Sequence, residues 1–372
     1  MNRRDTRLST VLLLPFSLLY GMAVSIRNLM FDYGILHSSE FNMPVISVGN
    51  ITVGGTGKTP HIEYLVRLLR KDYRVATLSR GYRRRSRGFR MADISSTVEQ
   101  VGDEPLQMKR KFSDLTVAVD RRRVNGISRL MREIPDLDVV LLDDAYQHRR
   151  VKPGLSILLI DYNRPLSQDR LLPAGRLREH AFEKKRANII LVTKCPDRLK
   201  PIERRLVVKE LKLYPFQHLF FTRLVYDQPR PVFPEAAGDP PDHEQFRLLK
   251  PKLLMVAGIA NPRLFKKYLR SISTKIEEMH YPDHYYYGEK DILAISNRFT
   301  EMEGDEKYCF TTEKDAMRLQ KFDNMREDIK ARMYYVPLEI DFLNEDTGNF
   351  NQHILNYVRN NRRNSILHKK SN

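Results

Sequence analysis

A glycine-rich loop followed by a lysine and a threonine carries the most specific chemistry in this sequence. An apolar, β-branched run at 45–48 leads into the loop, and a helical pattern of apolar residues follows Lys58 and Thr59. Strand, loop and helix in that order aim backbone N–H groups and the positive end of a helix dipole at one anionic spot. In such loops the lysine contacts the β- and γ-phosphates of a nucleotide, and the hydroxyl ligates Mg²⁺. The segment therefore predicts a nucleotide phosphate site.

The loop departs from the usual pattern G-x-x-x-x-G-K-[ST] at one position, where Thr52 replaces the first glycine. Additional glycines lie inside the loop instead, as in deviant versions of the motif. The residues predicted to hold the phosphates are Gly54, Gly55, Thr56, Gly57, Lys58 and Thr59.

Two consecutive aspartates follow the apolar run at 139–142. Asp143 and Asp144 stand where a strand would end, and Mg²⁺ prefers oxygen ligands such as carboxylates. Acids after a strand are common on protein surfaces, so the pair is informative only together with the phosphate loop. We predict Thr59, Asp143 and Asp144 as metal-binding residues.

Apolar runs alternate with amphipathic segments through the first half of the chain. The predicted strands are residues 45–48, 75–78, 116–119, 139–142, 156–160 and 189–193. This alternation predicts an α/β fold in which helices cover both faces of a parallel sheet. Ligands bind beyond the carboxyl ends of the strands in that architecture, so residues just after each strand are the candidates for function.

Basic residues follow the second and third predicted strands at this ligand edge. The motif S-R-G-Y at 79–82 opens a run of arginines, and another basic run ends at Arg123. Such runs are usually solvated faces, but an anion-binding role fits their position here. Arg80, Tyr82 and Arg123 are therefore candidates for substrate or phosphate contacts.

Two further charged motifs have a structural alternative. The turn G-D-E-P at 102–105 places Asp103 and Glu104 before a predicted helix, where acids commonly cap the helix. The motif T-K-C-P-D at 193–197 resembles the guanine-reading sequence T-K-x-D, but its aspartate stands one place late.

Composition narrows the class of protein. A chain of 372 residues predicts two domains, and two widely separated cysteines argue against a disulfide framework or a zinc site. The formal net charge of +18 favours an anionic partner. Because no nucleic-acid-binding module is recognisable, a phosphorylated substrate or an acidic membrane surface fits better than nucleic acid.

The first 36 residues contain an uninterrupted apolar run at 11–24, bracketed by arginines. The run has 14 residues, fewer than the roughly 20 that span a bilayer. It lacks a good signal-peptide cleavage site. Either a helix lying in an anionic membrane interface or a buried first helix fits this pattern, and we favour the membrane.

The second half begins with a connector rich in proline and acidic residues. We predict an N-terminal helix at 1–36, a nucleotide-binding domain at 37–225, a connector at 226–250 and a smaller α/β domain at 251–372. In the last of these, an Asp283-His284 pair precedes three tyrosines. A lone histidine is more often structural than functional.

Taken together, the chain resembles the tetraacyldisaccharide 4′-kinases, the lipid A 4′-kinases of Gram-negative bacteria. The resemblance spans nearly the whole chain, and the phosphate loop with Thr52 is itself the family's form. It rests on V-G-N-I-T-V-G-G-T-G-K-T-P at 48–60, S-R-G-Y at 79–82, G-D-E-P at 102–105, D-D-A-Y-Q-H at 143–148, L-P-A-G-R-L-R-E at 172–179, G-I-A-N-P at 258–262, Asp283-His284 and T-E-K-D at 312–315.

The resemblance implies phosphoryl transfer from MgATP to the 4′-hydroxyl of a lipid A disaccharide 1-phosphate, giving lipid IVA and ADP. It places the enzyme at the cytoplasmic face of the inner membrane, with the first helix docked on the bilayer and no nucleic acid or obligate protein partner. Asp103 becomes the general base, and His284, from the other predicted domain, tunes its pKa. Lys58 holds phosphate, Arg178 and Glu179 join the active site, and Glu179 stands near the metal.

Two rival functions keep the nucleotide site. A membrane-associated switch ATPase of the partitioning or targeting type would share the loop and the basic membrane segment, but would not need Asp103 with His284. A nucleic-acid-binding NTPase would fit the positive charge, and its affinity would fall steeply with salt.

Overall fold

The computed structural model describes residues 3–82, 84–237, 243–283, 285–344 and 346–370. Contacts divide the chain into two compact units. The first unit comprises Met1–Leu224 and Ile340–Asn372, and the second comprises Val225–Glu339.

In chain order the strands are β1 (Val45–Gly49), β2 (Val75–Ser79), β3 (Arg90–Met91), β4 (Thr116–Val119), β5 (Val139–Asp143), β6 (Leu155–Asp161), β7 (Ile189–Thr193), β8 (His218–Tyr226), β9 (Arg230–Pro231), β10 (Lys252–Ala257), β11 (Ile276–His280), β12 (Lys307–Thr312), β13 (Met333–Val336) and β14 (Leu338–Phe342).

The α-helices are α1 (Arg3–Asp32), α2 (Lys58–Leu69), α3 (Val98–Val101), α4 (Asp103–Lys111), α5 (Arg123–Glu133), α6 (Pro201–Leu211), α7 (His243–Leu249), α8 (Arg263–Ile272), α9 (Glu289–Glu301), α10 (Glu313–Leu319), α11 (Glu327–Lys330) and α12 (Asp346–Lys370). Two 3₁₀ helices are Leu166–Gln168 and Ala181–Arg186.

The first unit is built on a nine-stranded sheet in the order β14-β8-β7-β6-β1-β5-β2-β4-β3. All six predicted strands are present, and the described pairings from β8 to β4 are parallel. Strand β1 lies between β5 and β6, so the phosphate loop leaves the centre of the sheet. The predicted α/β fold is confirmed; the sequence analysis missed β3, β8 and β14.

The central strands are mostly apolar because helices cover both of their faces. Along β5, Val139 and Leu141 join the core beneath α2, while Val140 and Leu142 join the core beneath α5. Successive side chains of a strand point to opposite faces, so each strand contributes to both cores. This packing fixes the ends of β1, β2, β4 and β5 at one edge of the sheet.

The C-terminal segment belongs to the first unit rather than to the second. On α12, Phe350, Ile354 and Val358 form one buried face in the core shared with α2 and β1. Tyr357 donates a hydrogen bond from its hydroxyl to the Val45 carbonyl (3.2 Å). The units therefore divide the chain differently from our predicted domain at 251–372, because an apolar helix face in sequence does not reveal which core it completes.

The second unit contains a five-stranded sheet in the order β11-β10-β12-β13-β9. Its strands pair in parallel except for β9, which runs antiparallel to β13. The apolar runs of this half predict strands at 253–258, 275–280, 308–312 and 333–338. The first three match β10, β11 and β12 within one residue, the fourth ends at Val336 with a new strand beginning at Leu338, and β9 was not predicted.

The side of helix α1 that faces the rest of the first unit consists mostly of small and polar residues. Ser17, Gly21, Asn28 and Phe31 recur at helical spacing and form its buried side. The outward side is apolar, and its exposed residues are Val11, Leu12, Phe16, Leu18, Leu19, Met22, Ile26 and Leu29. By length and composition the segment Val11–Asp32, with 22 residues and a mean hydropathy of 1.4, is long and apolar enough to cross a bilayer.

Candidate active site

The phosphate loop has the backbone geometry that its glycines allow. Gly54 and Gly57 have φ angles of +112° and +88°, values that disfavour any side chain, and α2 begins directly after Gly57. Inside the loop, Asn50 donates a hydrogen bond to the Thr56 hydroxyl (2.9 Å). Thr193, at the end of β7, donates to the Thr56 carbonyl (2.9 Å). These hydrogen bonds hold the loop against the end of the sheet. The backbone N–H groups in the first turn of α2 remain available to an anion.

The threonine in the usual glycine position has a structural explanation. Thr52 lies in extended backbone and forms an isolated antiparallel bridge with Leu177. Val53 donates its N–H to the Arg176 carbonyl, and Arg178 donates its N–H to the Ile51 carbonyl (both 2.7 Å). A bridged, extended residue needs no glycine, and the bridge joins the loop to the 171–179 segment.

Lys194, in the T-K-C-P-D motif, contacts the same loop. Its ammonium donates to the Gly55 carbonyl and lies 2.7 Å from a buried carboxylate oxygen of Asp161. In sequence this motif resembles a guanine-reading signature with its aspartate one place late. The structure instead uses the lysine to hold the loop backbone.

Lys58 lies at the start of α2 beside an acidic residue of the next strand-end loop. Its Nζ is 3.4 Å from Asp144, and Arg178 approaches both carboxylate oxygens of Asp144 at 3.2 Å. Although burial raises it, the two cations together hold the pKa of Asp144 below its usual value. Two cations and one carboxylate leave net positive charge at the loop, which suits a polyphosphate.

Asp143, at the end of β5, is half-buried, and its enclosed Oδ1 has no hydrogen-bond partner among the described residues. Burial, then the nearby Glu104, raises the pKa of Asp143 to about 7. A cavity beside it is lined by Thr59, Ile62, Thr77, Ser79, Glu104, Pro105, Met108, Val117 and Asp143. An unpartnered carboxylate oxygen next to a threonine hydroxyl fits a hard cation.

The described residues contain no group of three or more His, Cys, Asp or Glu side chains that could hold a metal ion. A Mg²⁺ site does not need such a group, because the ion is usually bound by one or two carboxylates together with substrate phosphates and water. Thr59 and Asp143 therefore fit the metal prediction best, while Asp144 is engaged by Lys58 and Arg178.

The G-D-E-P turn packs against the S-R-G-Y loop. A Cβ on Gly102 would lie 2.9 Å from the Tyr82 carbonyl, and Gly102 has a φ of +93°. Asp103 is the first residue of α4, and its neighbour Glu104 lines the cavity beside Asp143. A catalytic role was predicted for Asp103 but none for Glu104. The position of Glu104 beside Asp103 in the same turn was the signal that could have identified it.

The three substrate candidates occupy different environments. Arg80 and Tyr82 are exposed beyond the end of β2. Arg123 is buried and donates to the carbonyls of Asp120 (2.6 Å) and Asp143 (3.2 Å). Burial lowers the pKa of Arg123 to about 10, so it stays charged at neutral pH. It holds the ends of β4 and β5 together, next to the cavity.

Glu179 lies in a buried network that does not line the cavity. Its carboxylate accepts hydrogen bonds from Asn28 and Gln147, each at 3.3 Å, and pairs with Arg186. Sequence reasoning missed these three partners, although Gln147 belongs to the D-D-A-Y-Q-H motif. His284 lies outside the described residues, so its predicted role stays a prediction.

The family model for tetraacyldisaccharide-1-P 4′-kinases, LpxK, matches residues 9–359. The chain belongs to the tetraacyldisaccharide 4′-kinase family. It is 47% identical to the tetraacyldisaccharide 4′-kinase of Bacteroides thetaiotaomicron, over 97% of this chain and 96% of that protein. It is 43% identical to the protein of the same name from Flavobacterium johnsoniae, over 94% and 97% of the two chains.

A solved LpxK structure gives the same result in three dimensions. LpxK from Aquifex aeolicus, crystallised in complex with ATP, superposes with a TM-score of 0.71 at 28% identity. The match covers 94% of this chain and 99% of that one. The family predicted from the sequence motifs is therefore confirmed, and so is the fold.

Proposed function

We propose that this 4′-kinase family member transfers the γ-phosphoryl group of ATP to the 4′-hydroxyl of a lipid A disaccharide 1-phosphate. The products are lipid IVA and ADP. One observation carries the proposal: Thr59 and Asp143 line one cavity directly after the phosphate loop and Lys58, and a carboxylate oxygen of Asp143 has no partner among the described residues. Phosphoryl transfer depends mainly on such positioning and charge neutralisation.

ATP is the nucleotide with which the Aquifex LpxK was crystallised. In this chain the loop amides and Lys58 would hold its β- and γ-phosphates, and Thr59 and Asp143 would hold Mg²⁺. The ion neutralises charge on the phosphates when it is bound. Arg178 keeps Asp144 directed at Lys58, and this contact fixes the position of the ammonium group.

Asp103 takes the proton of the attacking 4′-hydroxyl. It stands at the start of α4, one residue before the cavity-lining Glu104, and the helix dipole there favours a carboxylate. A hydroxyl needs a base because its own pKa is far above 7. His284 is the residue that the family resemblance pairs with this base.

Helix α1 rests on the cytoplasmic face of the inner membrane of a Gram-negative bacterium. Only 17% of its most apolar window is buried, and its outward leucines have no protein neighbour to cover them among the described residues. Burial of such a face in lipid is favourable by about 25 cal/mol for each Å² of apolar surface. The acyl chains of the substrate remain in the same bilayer.

The decisive experiment follows ³²P from γ-labelled ATP into a tetraacyl disaccharide 1-phosphate in detergent micelles with Mg²⁺. We expect label in the lipid with the wild-type protein and loss of transfer with Lys58→Ala. Lys71→Ala, which removes an exposed lysine just beyond α2, is the matched control and keeps full activity. Label that appears only as free phosphate would overturn the proposal and favour the switch ATPase.

A further inference from the structure

A second surface beside α1 has the composition of a membrane contact. It consists of the 3₁₀ helix Ala181–Arg186 and the turn at 212–217. We call it the aromatic–lysine band, and its members are Phe182, Lys184, Lys185, Lys212, Tyr214 and Phe216.

The three aromatic rings of the band are exposed to solvent. Phe182, Tyr214 and Phe216 are 51%, 40% and 54% exposed. Two stacked pairs order these rings: Phe182 stacks on His180, with centroids 5.3 Å apart, and Tyr214 stacks on Phe216 at 5.8 Å. Three large aromatic residues kept at the surface by ordered packing indicate a partner rather than random exposure.

Lysines lie against these rings and carry the charge of the band. The ammonium of Lys184 is 5.1 Å from the ring centroid of Tyr214, and that of Lys185 is 5.8 Å from the centroid of Phe182. Lys184 also donates to the carbonyl of Lys212 (3.4 Å), so two cations meet there. The one acid within the 3₁₀ helix, Glu183, is buried and paired with Arg186.

The band is rigid and adjoins α1. Gln217 donates to the carbonyls of Lys184 (2.7 Å) and Ala187 (2.8 Å), which ties the turn to the 3₁₀ helix. His180 lies against Gly21 of α1, and Lys185 pairs with Asp32 at the end of α1 (3.4 Å). The band, together with His180 on which Phe182 stacks, therefore adjoins the helix at two points about three turns apart.

We propose that the aromatic–lysine band is a second docking surface for an anionic lipid bilayer, adjoining α1. This rests on the proposed membrane association of α1 and extends it to residues far along the chain. Aromatic rings and lysine stems lie in the acyl–headgroup boundary, while the ammonium groups meet lipid phosphates. Helix and band together give two contacts, which fix the orientation of the first unit on the membrane.

The test measures partitioning of the full-length protein onto vesicles of phosphatidylcholine, with and without phosphatidylglycerol. Phe182→Ser with Phe216→Ser should lower the partition coefficient about tenfold on both kinds of vesicle. Lys184→Gln with Lys212→Gln should lower it about twenty-five-fold on the anionic vesicles only, since each of the two lysines contributes about fivefold at a charged surface.

The control pair is Ile94→Ser with Lys71→Gln, which changes equally exposed residues away from the band. Ile94 follows β3, at the opposite end of the sheet from β8, which begins next to the band. All variants should show the wild-type melting temperature and the wild-type phosphoryl transfer in detergent.

Unchanged partitioning of both band variants, with normal transfer in detergent, would overturn the inference and leave the kinase proposal intact. If the wild-type protein does not bind either kind of vesicle, the inference is overturned together with the membrane docking of α1. Absence of transfer in detergent concerns the kinase proposal alone.

Discussion

Asn28 of α1 donates a hydrogen bond from Nδ2 to Oε1 of Glu179 across 3.3 Å, and both side chains are buried. The other carboxylate oxygen of Glu179 accepts from Gln147 (3.3 Å). Gln147 in turn accepts from Arg178 (3.3 Å), which binds Asp144. Polar contacts thus run without a break from the apolar N-terminal helix to the acid beside the phosphate loop.

Backbone contacts reinforce this link. Tyr20 donates its hydroxyl to the Arg178 carbonyl (2.9 Å), and Ser17 donates to the Leu171 carbonyl (3.0 Å). The 171–179 segment also pairs with Thr52 in the phosphate loop. Because α1 holds the segment that holds the loop, docking of the helix and alignment of the nucleotide site are mechanically connected.

Asn28→Ala should lower turnover in detergent micelles about fivefold to tenfold, since it removes one buried hydrogen bond from the network. Asn28→Asp should lower turnover further, because it places a second carboxylate against buried Glu179. Leu29→Ala, on the outward face of the same turn, is the control and should keep turnover in micelles. Steady-state kinetics measures all three, and equal turnover of Asn28→Asp and wild type would contradict the link.

Arg178→Lys should lower turnover about tenfold to a hundredfold with little change in protein stability. One guanidinium nitrogen of Arg178 contacts both oxygens of Asp144 and also Gln147. A lysine ammonium is a more flexible and more strongly hydrated point charge, so it is held less firmly in that position. Arg176→Lys, an exposed change two residues earlier, should be silent. Rates for both variants at saturating ATP give the comparison; a fully active Arg178→Lys enzyme would show that Asp144 needs no fixed partner.

Asp143→Asn should raise the Mg²⁺ concentration for half-maximal activity at least tenfold. The change removes the charge of a carboxylate that lines the cavity with Thr59 and has one oxygen without a partner among the described residues. Asp114→Asn, a solvent-exposed change, is the control. Titration of activity with Mg²⁺ at fixed ATP measures the shift, and an unchanged Mg²⁺ requirement would remove Asp143 from the metal site.

Asp103→Asn should lower kcat about a hundredfold to ten-thousandfold while leaving the affinity for ATP nearly unchanged, as expected for loss of a general base. Glu104→Gln is the informative comparison, because Glu104 lines the cavity next to Asp143. If Glu104→Gln proves the more damaging change and Asp103→Asn stays active, the base is Glu104. Kinetics of lipid phosphorylation combined with nucleotide-binding measurements separates these outcomes.

His61 predicts a dependence of stability on pH. Its Nδ1–H donates to the Gly57 carbonyl (2.7 Å), so its Nε2 accepts from the Thr222 hydroxyl (3.0 Å) and the ring is neutral. Burial lowers the pKa of His61 to about 4. Between this value and the unfolded pKa of about 6.5 the unfolded chain binds more protons, so the free energy of unfolding falls as pH falls, by up to about 1.4 kcal/mol per pH unit.

Urea denaturation at pH 7, 6 and 5 measures this slope. His61→Gln should reduce this slope. His148 contributes a slope of the same sign, because burial and nearby arginines lower its pKa to about 4, while Asp143, whose pKa burial raises to about 7, contributes one of the opposite sign. Above about pH 6.5 neither histidine contributes a slope. A wild-type slope that survives His61→Gln undiminished would contradict the assignment.

Local sequence determined the phosphate loop and the strands around it. Gly54 and Gly57 stand where the backbone requires a positive φ, and Lys58 opens the helix directly after them. The strands are short, apolar and bounded by polar residues, so their periodicity is visible in a window of a few residues. The ordered motifs were specific enough to give the family as well.

Tertiary structure decided the roles of side chains whose partners are distant in sequence. Glu179 meets Asn28 across 151 positions, and Tyr357 meets Val45 across 312. Arg123 followed a strand like any ligand-binding residue, yet its guanidinium is buried against two carbonyls. A sequence pattern reports which residues form an apolar or charged face, because that depends on local geometry. Which residues pack against that face depends on contacts between distant parts of the chain, and only the folded structure shows those contacts.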